Sequence, residues 1–126
     1  MTRRVDREGP IQRAIIARFM QELPGCVIAA VPNSTDVRGK SAQIAVAKQK
    51  QNGLLPGFPD LIVAWHGQAA FIEVKAPGGR LSEAQSEVLQ RLASNMMLTA
   101  VIDTQDAVPA IAQAMRGNLK TVGDVT

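Results

Sequence analysis

The 126-residue sequence predicts an α/β domain, a mixed sheet of about four strands flanked by helices. Two observations carry that expectation. Leu61-Ile62-Val63 and Phe71-Ile72-Glu73-Val74 are rich in β-branched and aromatic residues, and the turn signal Trp65-His66-Gly67-Gln68 between them makes an antiparallel hairpin. After the hairpin a helical segment leads into another apolar run, Met97 to Asp103, the pattern of a right-handed crossover between parallel strands. A chain of this length buries one core and not two, so residues 1–126 are expected to be one domain, with a loose tail over about 118–126.

The elements run α, β, α, β, β, α, β, α. Pro10 suits the first turn of a helix, and Ile11, Ala14, Ile15, Ala17, Arg18 and Phe19 recur at helical spacing until Leu23-Pro24-Gly25 ends it. Cys26 to Val31 is apolar and reads as a buried strand, and Pro32 to Lys40 as a polar loop. A second helix is expected from Ser41 to about Asn52, closed by Gly53, before the irregular approach Leu54-Leu55-Pro56-Gly57-Phe58-Pro59 to the hairpin. Beyond it, Ala76-Pro77-Gly78-Gly79-Arg80 is a turn, and Ser82 with Gln85 is a capping-box signature opening a helix to about Ala93. Leu98, Val101 and Ile102 make the next strand apolar enough to be internal. The last helix is expected to start between Thr104 and Asp106, to admit Pro109 only in its first turn, and to end by Gly117.

Composition narrows the function classes. With 46% hydrophobic and 20% charged residues the chain is globular in type, not disordered. No run is apolar and long enough to span a membrane or serve as a secretory signal, which leads to an expectation of a cytoplasmic protein. The single cysteine, Cys26, excludes an internal disulfide and a multi-cysteine zinc site, and its apolar surroundings suit a buried structural thiol. The net charge of +3 is modest, but Arg3, Arg4 and Arg7 cluster at one point and Arg38, Lys40, Lys48 and Lys50 at another, which suits phosphate as well as a solvated helix face.

The chemistry concentrates on the hairpin. Asp60 begins one strand and Glu73 lies near the end of its antiparallel partner, so both carboxylates reach the same sheet edge. Mg²⁺ takes hard oxygen ligands, usually one or two carboxylates beside waters and phosphate oxygens. Side chains alternate along a strand, so Glu73 and Lys75 share a face while Val74 points into the core and leaves its carbonyl for the metal. Lys75 can hold an attacking water and offset negative charge in a phosphoryl transition state.

Three segments in this order, Gly57-Phe58-Pro59-Asp60-Leu61, Glu73-Val74-Lys75 and Leu81-Ser82-Glu83-Ala84-Gln85, resemble the VRR-Nuc family of the PD-(D/E)xK nuclease superfamily. The resemblance runs from about Glu8 to the helix after Asp103. It implies a restriction-endonuclease-like fold, dependence on Mg²⁺ with Mn²⁺ as a substitute, and nuclease activity on DNA that leaves a 5′-phosphate. Minimal stand-alone members of bacteria and phages imply more: structure-selective cleavage of branched DNA such as four-way (Holliday) junctions, by a homodimer, in the cytoplasm of a bacterium or phage host. Metal ligands by this likeness are Asp60, Glu73, the Val74 carbonyl and Glu8, and the catalytic set is Asp60, Glu73, Lys75, Glu8 and Gln85.

Glu8 and Gln85 are each open to a second reading: an acid at a helix start complements its dipole, and Gln85 can cap Ser82, a task that its one side chain does not readily combine with a place in the site. Asn33, Arg38, Lys40, Lys48 and Arg80 are candidate DNA contacts. Gly78 and Gly79 complete no phosphate-binding loop. His66, expected in the hairpin turn, lies a strand length of roughly 17–20 Å from the acids and is excluded as a base. Trp65 is expected to pack, and with 3% aromatic residues a base-stacking platform has no support. A flap, linear-DNA or RNA nuclease, and a non-catalytic DNA-binding or assembly module, stand as alternatives.

Overall fold

The computed structural model describes residues 6–32 and 40–125. Its elements are α1 (Glu8–Glu22), β1 (Val27–Ala30), α2 (Lys40–Gln51), β2 (Leu61–Trp65), β3 (Gln68–Val74), α3 (Glu83–Ser94), β4 (Leu98–Ile102), a short 3₁₀ turn (Gln105–Ala107) and α4 (Val108–Val125). The sheet order is β1-β2-β3-β4. β1, β2 and β3 pair antiparallel, and β4 runs parallel to β3 after the α3 crossover. The mixed sheet flanked by helices is the expected one.

The hairpin turn sets the register. His66 and Gly67 both have positive φ, 47° and 76°, as a two-residue type I′ turn requires, and Trp65 pairs with Gln68 to close it. Every rung below follows, through Val63↔Ala70 to Leu61↔Ile72. Continued one position beyond Leu61, the same register sets Asp60 against Glu73, where the Asp60 carboxylate accepts from the Val74 N–H.

Alternation then sorts the faces. Leu61, Val63, Ala70, Ile72 and Val74 are fully buried and form the core with Ile15, Phe19 and Leu23 from the α1 side and Val108, Ala112 and Met115 from α4. Each large member contributes roughly 1.5–3 kcal/mol by leaving water. Phe71 and Glu73 occupy the other face, where Phe58 packs edge-on against Phe71 with ring centroids 5.8 Å apart.

Three local expectations are corrected. β1 is not a buried strand: it is an edge, with Val27 68% exposed and Cys26 only half-buried. β4 is likewise not internal; it is the opposite edge, with Val101 exposed. An apolar run reports burial on at least one side but not a strand's place in the order. The last helix does not end by Gly117 but continues to Val125, because one glycine inside a helix costs only about 1 kcal/mol against alanine.

Candidate active site

Asp60 is fixed from both sides. Its backbone carbonyl accepts from the Val31 N–H at 2.8 Å, extending the β1 pairing, and its carboxylate Oδ2 accepts from the Val74 N–H at 2.9 Å. Glu73, across the rung, is 1% exposed, the one buried charged side chain among the described residues. With both carboxyls ionised, Glu73 Oε2 has no hydrogen-bond partner. A buried carboxylate oxygen left so costs on the order of 1–3 kcal/mol or more, and only a proton or a cation removes the penalty.

The proton wins in the free protein. Burial, then a hydrogen bond shared with Asp60 and the Asp60 charge, push the Glu73 carboxyl from 4.5 up to about 9, while Lys75 pulls it down and Glu8 adds a small upward push. Glu73 is therefore protonated at neutral pH unless something positive displaces the proton.

Gln85, in the first turn of α3, ties the remaining groups together. Lys75 Nζ donates to Gln85 Oε1 at 2.9 Å, and Gln85 Nε2 donates to Glu73 Oε1 at 3.4 Å. The same Oε1 accepts from the Ser82 N–H at 2.8 Å, while Ser82 Oγ accepts from the Gln85 N–H at 3.1 Å. Capping and site-lining, read from the sequence as competing tasks, are thus performed together. An amide carries an acceptor and two donors on one rigid plane, so it can do both.

Asp60 and Gln85 line an open cleft of about 690 Å³ with Gln12, Val31, Pro32, Gly57, Phe58 and Ser82 among the other walls. Glu73 lies behind them. Gly57 lets the loop before β2 approach α3: its φ is +83°, and a Cβ there would come within 2.5 Å of the Ala84 carbonyl carbon and 2.7 Å of Gln85 N. Pro77 and Gly78, φ +81°, occupy the middle of a turn closed by the Gly79 N–H donating to the Ala76 carbonyl at 2.8 Å, which carries the chain from Lys75 towards α3.

The other expected residues lie further out. Glu8 opens α1, exposed, near enough to act on the Glu73 proton, yet among the described residues no three His, Cys, Asp or Glu side chains come close enough to share a metal ion. Lys48, in the last turn of α2, and Arg80, before α3, are exposed and do not line the cleft. Lys40 begins α2, but its side chain, like all of Asn33 and Arg38, falls outside the described residues. His66 sits exposed at the turn as expected, and Trp65 packs at the core margin with its indole N–H donating to the Pro24 carbonyl at 3.3 Å. Burial raises the Cys26 thiol pKa, which keeps it protonated.

Two residues of this site were not singled out from sequence. Gln12 follows Glu8 by four positions, one helical turn, and reaches the cleft; that i, i+4 spacing was the available signal. Ser82 was read only as a cap.

A family model described as the VRR-NUC domain matches residues 6–106. The chain belongs to the VRR-NUC domain family. Membership implies a nuclease with DNA as its substrate, in a family that generally uses a divalent metal. Two solved structures share the VRR-NUC fold with this chain. One, described as a "VRR_NUC domain protein", is 24% identical with a TM-score of 0.62 over 89% of each chain. The other, described as a "VRR_NUC domain", is 19% identical with a TM-score of 0.60 over 86% of this chain and 97% of its own. No curated protein matches. The restriction-endonuclease-like core is therefore that of this VRR-NUC chain, and no helix among the described residues is long and apolar enough to cross a membrane.

The donor set fits the family's metal. Two carboxylates lie close enough to share a hydrogen bond, one of them with an unpartnered buried oxygen, beside a neutral amide. Hard oxygen donors of this kind suit Mg²⁺ or Mn²⁺.

Proposed function

We propose that this chain is a divalent-metal-dependent, structure-selective endonuclease that hydrolyses phosphodiester bonds in branched DNA such as four-way junctions. The observation that carries the hydrolytic reading is the Asp60–Glu73 pair with its orphaned Oε2, joined through Gln85 to Lys75. Selectivity for branched DNA rests on the likeness to minimal stand-alone members of the family.

Asp60, Glu73 and the Val74 carbonyl are the groups that would hold Mg²⁺, or Mn²⁺ in its place, with Glu8 acting through a water. A divalent cation bound there supplies Lewis acidity to the phosphate. Lys75, oriented by Gln85, places the attacking water and offsets charge as the phosphorus gains the water oxygen and loses its bond to the sugar 3′ oxygen, which leaves a 5′-phosphate. Phe58, Val31 and Pro32 wall the cleft and restrict bulk water on one side. Lys48 and Arg80, which lie outside the cleft, contact the DNA backbone together with Lys40, Arg38 and Asn33, which positions the strand without reading its sequence. Such a protein works in the cytoplasm, where its DNA lies, as a homodimer.

The test is incubation with Mg²⁺ and labelled four-way, flap, linear duplex and single-stranded DNA, and RNA, for the native chain, Asp60→Ala and Lys75→Ala. Native protein is expected to cut the four-way junction best, and both variants to bind it without cutting. Undiminished cleavage by either variant overturns the assignment. Preference for flaps, linear DNA or RNA changes the substrate, and binding without any metal-dependent cleavage leaves a DNA-binding module.

A further inference from the structure

Gln85 belongs to two constructions at once. As the third residue of α3 it closes the capping box with Ser82, whose N–H donates to Oε1 at 2.8 Å and whose Oγ accepts from the Gln85 N–H at 3.1 Å. As a neighbour of the acid pair it accepts from Lys75 Nζ at 2.9 Å through that same Oε1, and gives Nε2 to Glu73 Oε1 at 3.4 Å. An amide oxygen has two lone pairs, and Ser82 and Lys75 take one each. Rotating the amide by half a turn would break the Ser82, Lys75 and Glu73 bonds together. Gly57 closes the other side: with a Cβ excluded by the Ala84 carbonyl carbon at 2.5 Å, the loop leading to Asp60 lies directly against the turn that bears Gln85.

We propose that Ser82 is a positioning residue of the active site, its capping box locking the Gln85 amide in the orientation that serves Lys75 and Glu73. The proposal rests on the nuclease reading above. A cap that served only the helix would have no effect on the chemistry beyond stability. Ser82 bonds to neither Lys75 nor Glu73: it holds Gln85 at two points, its own N–H on the side-chain Oε1 and its Oγ on the Gln85 backbone N–H, so loss of Oγ acts by freeing the turn that keeps the Ser82 N–H against the amide.

The experiment compares the full chain with Ser82→Ala, Ser82→Thr and Thr104→Ala. Thr104 caps the 3₁₀ turn through the Asp106 N–H at 3.1 Å and is no part of the site, so its loss imitates a lost cap elsewhere. Three readouts are taken: kcat and KM for junction cleavage at saturating Mg²⁺, the Gln85 side-chain amide resonances in metal-free protein, and Tm. Ser82→Ala is expected to lower kcat about tenfold or more with KM nearly unchanged, and to move the Gln85 amide resonances. Ser82→Thr restores both, and Thr104→Ala loses Tm while keeping kcat and the resonances. Native kcat or native Gln85 resonances in Ser82→Ala overturn the proposal, as does an equal kcat loss in Thr104→Ala. If Ser82→Ala does not fold, Ser82→Gly, which removes Oγ at little cost to the helix, takes its place. Failure of the native chain to cleave any DNA overturns the nuclease reading instead, and the resonances then still decide whether Ser82 orients Gln85.

Discussion

Among the described residues, Glu73 is the one buried charged side chain, and it carries an unpartnered oxygen. Its carboxyl is raised from 4.5 to about 9, by burial first and then by Asp60, so between those pH values the unfolded chain has released a proton that the folded chain still holds. Stability from this group is complete below about pH 4.5 and is lost as pH climbs towards 9. In chelator, Tm is expected to fall from pH 5.5 to 8.5, and Glu73→Gln, an isostere of the protonated acid, is expected to flatten that slope and raise stability at pH 8 by on the order of 1–3 kcal/mol while abolishing cleavage. A thermal melt at both pH values decides it; a native-like slope in Glu73→Gln refutes the assignment. For the same reason Mg²⁺ should stabilise the native chain more at pH 8 than at pH 6, since the cation must displace a proton. The acid pair was readable in the sequence, because a two-residue turn fixes which residues face each other. The depth of Glu73 was not, because Phe58 and α3, which share its face, come from elsewhere in the chain.

Helix α3 offers a contrast between two left-handed residues. Met96, φ 64° and 91% exposed, follows the helix as the turn closes with the Met97 N–H donating to the Leu92 carbonyl at 3.1 Å and the Met96 N–H to the Ala93 carbonyl at 3.0 Å. That is a Schellman motif at a position which favours glycine. Met96→Gly is expected to stabilise the protein by roughly 0.5–1 kcal/mol with activity unchanged, measurable in a urea titration. Gly57 is the reverse, a glycine with no room for anything else. Gly57→Ala is expected to cost about 2 kcal/mol or more and to reduce kcat, because the Asp60 loop must back away from Gln85; native kcat in a folded Gly57→Ala protein would contradict this. Helix starts were legible from caps and proline, as Ser82 and Pro10 show. Helix ends were less so: Gly117 resembles a stop, yet α4 passes through it.

The sheet is open, with β1 and β4 at its margins, and strand order was the part of the architecture least accessible to sequence reasoning. An apolar run identifies a strand without saying whether one neighbour or two will pair with it, so β1 and β4 were both placed too deep. One domain carries one acid pair, and two symmetric cuts in a four-way junction need two, related by a closed two-fold axis. Sedimentation at the concentration that resolves junctions is expected to give twice the monomer mass, and mixed dimers of native and Asp60→Ala chains to nick one strand only. A monomer that resolves junctions would sink the dimer. The His66-Gly67 turn lies at the far end of β2 from Asp60, five strand residues away. That separation makes the tip a natural anchorage for a fluorophore or surface tether that leaves the acids undisturbed. Any graft there must still hand the chain back at Gln68, since a shift of one residue would turn Glu73 towards the core and send Val74 out in its place.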